Sequence, residues 1–244
     1  MTIKYRSILS FVGLAALVIA LCPMASRHLW AQNPEMQQRI AEVKQAAAAN
    51  KAALAHYSWQ EKQSIAIKGE VKDTKTYQVR VGPDGKPQKE ELTDLPQSTG
   101  GKEHGLAHHV KEKKGEEFKE YGQQIAALAQ QYAHPNPEAL QQAYQQGNVM
   151  MGSGGTPGEV KLTISNYLKP NDKVTLTFNQ KAKAIQSLNV QSYLNDPKDA
   201  VTIAAQFAQL PDGPNHVSTM QINGQSKNLS ITTQNSNYQK IAAP

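Results

Sequence analysis

Apolar residues recur at every second position through most of this chain, and that period constrains its fold more than any other feature. Tyr57, Trp59, Ile65 and Ile67 alternate with polar residues, and Val71, Tyr77, Val79 and Val81 repeat the pattern after a turn near Gly69. The turn Pro83-Asp84-Gly85 leads into a shorter, polar strand from about Lys86 to Leu92. In the last third the same period runs through Val160/Leu162/Ile164, Val174/Leu176/Phe178, Ala184/Leu188/Val190, Val201/Ile203/Ala205/Phe207, Met220/Ile222 and Leu229/Ile231. Successive strand side chains point to opposite faces, so this alternation buries one face of a sheet. The breaks are short and rich in Pro, Asn, Asp and Gly, which makes the sheet antiparallel. Asn223-Gly224 reads as one of its hairpin turns.

Two stretches follow a helical period instead. Asn33-Pro34-Glu35 supplies an N-cap, a first-turn proline and an acid at the positive dipole end, and Met36, Ile40, Val43, Ala47 and Leu54 continue a helix to about Ala55. Residues 93–109 read as a loop. Phe118, Tyr121, Ile125, Leu128 and Tyr132 then follow at steps of three and four, one apolar stripe that must be buried against something. Pro135 ends this helix; Asn136-Pro137-Glu138 starts another that runs through Leu140 and Tyr144 to Gly147. Residues 151–158, MGSGGTPG, read as a flexible joint. The expected fold class is α+β: a single antiparallel sheet of about nine strands, with an N-terminal helix and a central helix pair, about 110–147, as a lid on one face. Its natural partner is the odd-numbered face of the first meander, Trp59, Ile65, Tyr77 and Val79.

The chain begins with a basic patch, Lys4 and Arg6, followed by the apolar run Ile8 to Cys22 and then Leu29-Trp30-Ala31. The run is short for a membrane span, which needs about 20 residues, and suits a secretory h-region. Residues 1–31 are therefore expected to be a signal peptide cleaved after Ala31, leaving 32–244 as one domain, periplasmic or secreted and without a membrane span. A bacterial lipobox asks for a small residue before its cysteine, and Leu21 stands there, which argues against lipidation of Cys22. Cys22 is the sole cysteine of 244 residues, so cleavage excludes disulfides and thiol chemistry from the mature chain. Processing also removes Lys4, Arg6 and Arg27 and no acid, which lowers the net charge from +6 to +3. Only Arg39 and Arg80 remain as arginines, which argues against nucleic-acid binding.

Catalytic constellations are not apparent. His104, His108 and His109 form the densest group of possible metal ligands, but no glutamate follows the first as in H-E-x-x-H, and a solvated loop is the default reading. Residues 102–120 hold five Lys and five Glu, a mixed run that reads as a solvated surface. The glycine-rich 151–158 lacks the Gly-Lys-Ser/Thr of a phosphate loop and is followed by a strand. The acids Asp84, Asp172, Asp196, Asp199 and Asp212 sit in turns, where Asx-turn chemistry explains them. The chain is expected to be no enzyme and to need no cofactor.

The organisation as a whole resembles the exported lipoprotein-carrier superfamily, the LolA/LolB-like and RseB-like proteins and their lipoprotein-sorting relatives. The likeness is carried by a signal peptide, a helix running into YSWQEKQSIAIKGEV, the strand-turn TYQVRVGPDGKP, mid-chain helices, and a closing F-x-x-LPDG-x(10)-G-x(12)-NY pattern from Phe207 to Tyr238. It implies a deeply curved sheet, an open half-barrel, whose apolar concavity lies beneath helices and holds acyl chains. Trp59, Tyr77, Phe118, Tyr121, Ile125, Leu128 and Tyr132 are then the candidate ligand-binding residues. Carriers of this kind use a strand arginine in gating; Arg80, between Val79 and Val81, points to the opposite, solvated face and does not inherit that role. The expected function is an exported, non-enzymatic binding protein for a hydrophobic ligand, a lipid or a lipoprotein acyl chain. The alternative is a cell-envelope protein–protein interaction module whose concavity is filled by its own side chains.

Overall fold

The computed structural model describes residues 45, 48–83, 85–92, 106–133 and 136–241, and no side chain for 106–114, 137 or 141. The expected signal peptide, the helix start at Asn33 and His104 lie outside the described residues, as do the side chains of His108 and His109.

Ten strands form one antiparallel sheet: β1 (Tyr57–Ile67), β2 (Glu70–Val81), β3 (Pro87–Glu91), β4 (Val149–Ser153), β5 (Glu159–Ser165), β6 (Lys173–Asn179), β7 (Ala184–Tyr193), β8 (Ala200–Gln209), β9 (Asn215–Gly224) and β10 (Leu229–Lys240). The order across the sheet is β3-β2-β1-β10-β9-β8-β7-β6-β5-β4, open at both edges. The strand beyond the expected nine is β4, which runs into the stretch read as a joint. Four of its five residues are exposed, so it lacks the one-sided burial that produces alternation. Helix α1 is the helical segment 48–54 ahead of β1, α2 spans Leu106–Ala133, and α3 spans Pro137–Gln145. Helix α2 thus begins inside the expected loop, with His108 and His109 in its first turn.

The helix pair connects β3 to β4, and these are the two opposite edges of the sheet. Nine strand gaps span about 43 Å, and the 28 residues of α2 extend about 42 Å. A connection between those edges has to cross the whole face, so the topology itself lays α2 over it. The turns are local: Lys68 and Gly69 both take left-handed backbone, φ 53° and 82°, as a two-residue hairpin requires. Asn136 caps α3, its side chain accepting from Ala139 N at 3.0 Å, and Gly147, φ 72°, ends it.

The expected hairpin at Asn223-Gly224 is corrected. β9 runs through Gly224, and the turn lies at residues 225–228 with Asn228 left-handed. Gly224 serves packing: a Cβ there would lie 2.5 Å from Tyr121 Cε1 and 2.6 Å from its hydroxyl.

The strands pair with register shifts at four places, and three lie at one end of the sheet. An extra residue enters β7 beside Phe178, β9 beside Phe207, and β10 beside Trp59, where Asn237 is left-handed. Bulges bend and over-twist a strand pair, so this end, where α1 sits, curls away from the ladder of the rest.

Candidate functional site

The α2 stripe is buried as its spacing requires. Ile125 (0% exposed), Leu128 (3%) and Tyr132 (2%) pack with Tyr121 into a cluster drawn from β5 through β10, and Phe118 packs partly buried against it. Its main neighbours in the sheet are β9 and β10, and Ile65 and Ile67 of the first meander pack at the margin of the same cluster. Trp59, Tyr77, Val79 and Val81 form a second cluster with Ala55 and Tyr238, whose ring stacks on the Trp59 indole at 5.5 Å. The seven candidate residues are therefore divided: five on α2 in the main core, and Trp59 and Tyr77 in a separate core beside α1. Ile65 alone of the expected meander face packs on the α2 cluster.

Two tyrosines clasp α2 to the sheet. Tyr132 donates from its hydroxyl to Asp172 Oδ2 at 2.6 Å and lies 2.7 Å from Ser192 Oγ. Asp172 is itself buried and accepts from the backbone N–H groups of Tyr167, Leu168 and Lys169 at 2.6–3.0 Å. Eleven residues earlier, about 16 Å along the helix, Tyr121 donates to Asp199 Oδ1 at 2.6 Å. Burial, and then the hydrogen bond to Asp199, push the Tyr121 phenol up to about 12; burial and Asp172 raise Tyr132 as well. Both phenols stay protonated donors at physiological pH. Tyrosines in the stripe announced a need for partners, but turn aspartates look alike in sequence, and only the fold selects Asp172 and Asp199.

The β1–β3 side of the same face sets charged and polar groups beside the Trp59 cluster. Directly opposed residues share a face, and the register aligns Trp59 with Val79 and Lys89, and Glu61 with Tyr77 and Asn235. Glu61 and Lys89 form a buried ion pair at 2.5 Å. Burial pushes the Glu61 carboxyl up, against the pull of Lys89. Among the described residues Trp59 Nε1, Asp73 Oδ1, Thr233 Oγ1, Asn235 Oδ1 and His216 Nδ1 are buried with no hydrogen-bond partner.

A cleft of about 310 Å3 opens between α1 and the curled end of the sheet. Its apolar lining is Ala49 and Ala53 of α1 with Phe178, Ile185, Phe207 and Pro214. Phe178 and Ile185 face each other across β6 and β7 at the bulge. Ile185, Phe178 and Phe207 also belong to or pack against the cluster that holds the α2 stripe, so the cleft is where that core meets solvent. Asn50 holds α1 over it, donating to Asn215 O at 2.7 Å and accepting from Asn215 N at 2.5 Å.

These features define an α+β protein with an open antiparallel sheet, a helix pair packed on one face and an apolar cleft at one end. No family model and no curated protein matches the chain. Among solved structures it is similar to a DUF1329 family protein from Desulfovibrio piger, at 12% identity and a TM-score of 0.40 over 82% of this chain and 92% of that one. It is also similar to a LolA superfamily protein from Nitrosomonas europaea, at 11% identity and a TM-score of 0.38 over 84% and 94%. The likeness to the LolA-type architecture is a loose one.

Proposed function

We propose that this chain is an exported, non-enzymatic binding protein whose hydrophobic ligand enters at the cleft beneath α1. The observation that carries the reading is the cleft itself: a preformed space floored by Phe178, Ile185 and Phe207, side chains that pack with the core holding the α2 stripe. Apolar clefts of this size are the ordinary form of a small-ligand site. The stripe Phe118, Tyr121, Ile125, Leu128 and Tyr132 is the closed lid over the continuation of that site, and Trp59 and Tyr77 flank it. Release after Ala31 into the periplasm or the medium completes the reading; among the described residues no helix is long and apolar enough to cross a membrane.

A fluorescent fatty-acid probe tests it. Wild-type protein is expected to bind the probe, and Ala53→Trp, which fills the cleft from α1, should weaken uptake at least tenfold with the fold intact by circular dichroism. Leu128→Ala should weaken uptake further than Ile203→Ala does if the ligand continues beneath α2. The full burial of Ile125 and Leu128 favours one other reading, a self-filled envelope interaction module. Absence of probe binding to the wild type would leave that reading standing.

A further inference from the structure

We infer that the ligand of the α1 cleft is a single-chain anionic amphiphile whose acidic head lies at Lys183, an inference that rests on the binding reading above. The cleft is apolar at its floor and asymmetric in charge at its mouth. Two charged side chains line it, Lys183 and Asp212. Asp212 is already neutralised: Lys240 Nζ lies 2.5 Å from its Oδ2, and the Tyr57 hydroxyl donates to the same oxygen at 3.4 Å. The Lys240 ammonium and the Tyr57 hydroxyl hold the Asp212 carboxyl below its ordinary range. Lys183 is exposed and forms no ion pair among the described residues. The mouth thus offers one uncompensated cation.

The placement of Lys183 is set by the β6–β7 turn. Asn179 Oδ1 accepts from Ala182 N at 3.0 Å, closing the turn, and Lys183 follows in left-handed backbone with φ 49°. The next two residues, Ala184 and Ile185, line the cleft, and Ile185 opposes Phe178. A carboxylate at Lys183 therefore has an apolar path directly behind it. A volume of about 310 Å3 is roughly ten times the space of one water in the liquid, and a methylene is of similar size. That accommodates one acyl chain of medium length and excludes the paired chains of a phospholipid. Asn50 and Asn215, which also line the cleft, spend their amides on each other and on Ile185 O, so the lysine is the group left to choose the head.

Decanoate and 1-decanol share a tail and differ in head charge, and calorimetric titration of both into the full chain at low salt separates tail from head. The wild type is expected to bind decanoate about fivefold or more tightly over decanol, with the difference shrinking at high salt. Lys183→Gln should erase the preference by weakening decanoate, whereas Lys181→Gln, on the same turn but outside the cleft, should preserve it. Equal affinity for both ligands in the wild type, or a preference that survives Lys183→Gln, would overturn the head-group assignment while sparing the cleft. Failure of both ligands to bind would overturn the binding reading and this inference with it.

Discussion

The Tyr132 hydroxyl reaches from α2 to the buried Asp172 carboxylate at 2.6 Å, so the helix is tied to the loop that joins β5 to β6. Asp172 keeps three backbone donors without it, so the loop does not depend on the helix, but the helix depends on the loop. Tyr132→Phe is expected to cost about 1–3 kcal/mol, because it leaves Ser192 and one carboxylate oxygen short of a buried partner. Tyr121→Phe should cost less, about 0.5–1.5 kcal/mol, since Ser226 also donates to Asp199. Urea unfolding of the two variants against the wild type checks the order.

Gly224 and Tyr121 should behave as one unit. A Cβ at Gly224 meets the Tyr121 ring well inside contact distance, so Gly224→Ala must displace the ring and strain the bond to Asp199. A loss of about 1–3 kcal/mol is expected. In the Tyr121→Ala background the same change should be nearly silent, and a double-mutant cycle measures that coupling.

Glu61 and Lys89 test whether the polar side of the face is held by its ion pair. Glu61→Leu removes the carboxylate from a buried ammonium and is expected to cost about 3–5 kcal/mol. Glu61→Leu combined with Lys89→Met should recover most of that loss, the usual outcome when both charges leave a buried pair. Thermal unfolding of the single and double variants gives the comparison.

Burial lowers the His216 pKa below its ordinary value of 6.5, and the neutral ring packs 4.3 Å from the Tyr238 ring. The unfolded chain then binds a proton more readily than the folded one, so stability is complete above about pH 6.5 and falls as pH drops through the interval between the two values. His216→Gln should flatten the stability profile between pH 7 and 5. An unchanged slope in that variant would place the acid sensitivity elsewhere.

Nine of the ten strands, their order along the chain and the burial of the α2 stripe were legible because period two and period 3.6 are written directly in residue type. The partners of α2 were not legible. Trp59 and Val79 share a face with Ile65, yet the first two pack with Ala55 and Tyr238 and the third with the cluster that holds the α2 stripe, a division that the alternation alone does not reveal. The Asn-Gly pair at 223–224 has ideal turn chemistry, but the space that Tyr121 needs in β9 outweighs it. The cleft lies beside the extra residues in β7 and β9, and a bulge leaves no mark in composition when the residue it adds is as ordinary as Gln186 or Ser218.

The pairing of β1 with β10 has a consequence for how the molecule is made. Residues 57–91 can form one small sheet and residues 149–224 another as soon as each emerges, but nothing joins them edge to edge until residues 229–240 slide between β1 and β9. The last of these ten strands in chain order is the seam of the sheet, and each half presents a long unpaired border while it waits. A chain stopped at residue 228 would keep almost all of its apolar sequence and lose the strip that zips it together. Its fate would be decided by which neighbour reached those two borders first.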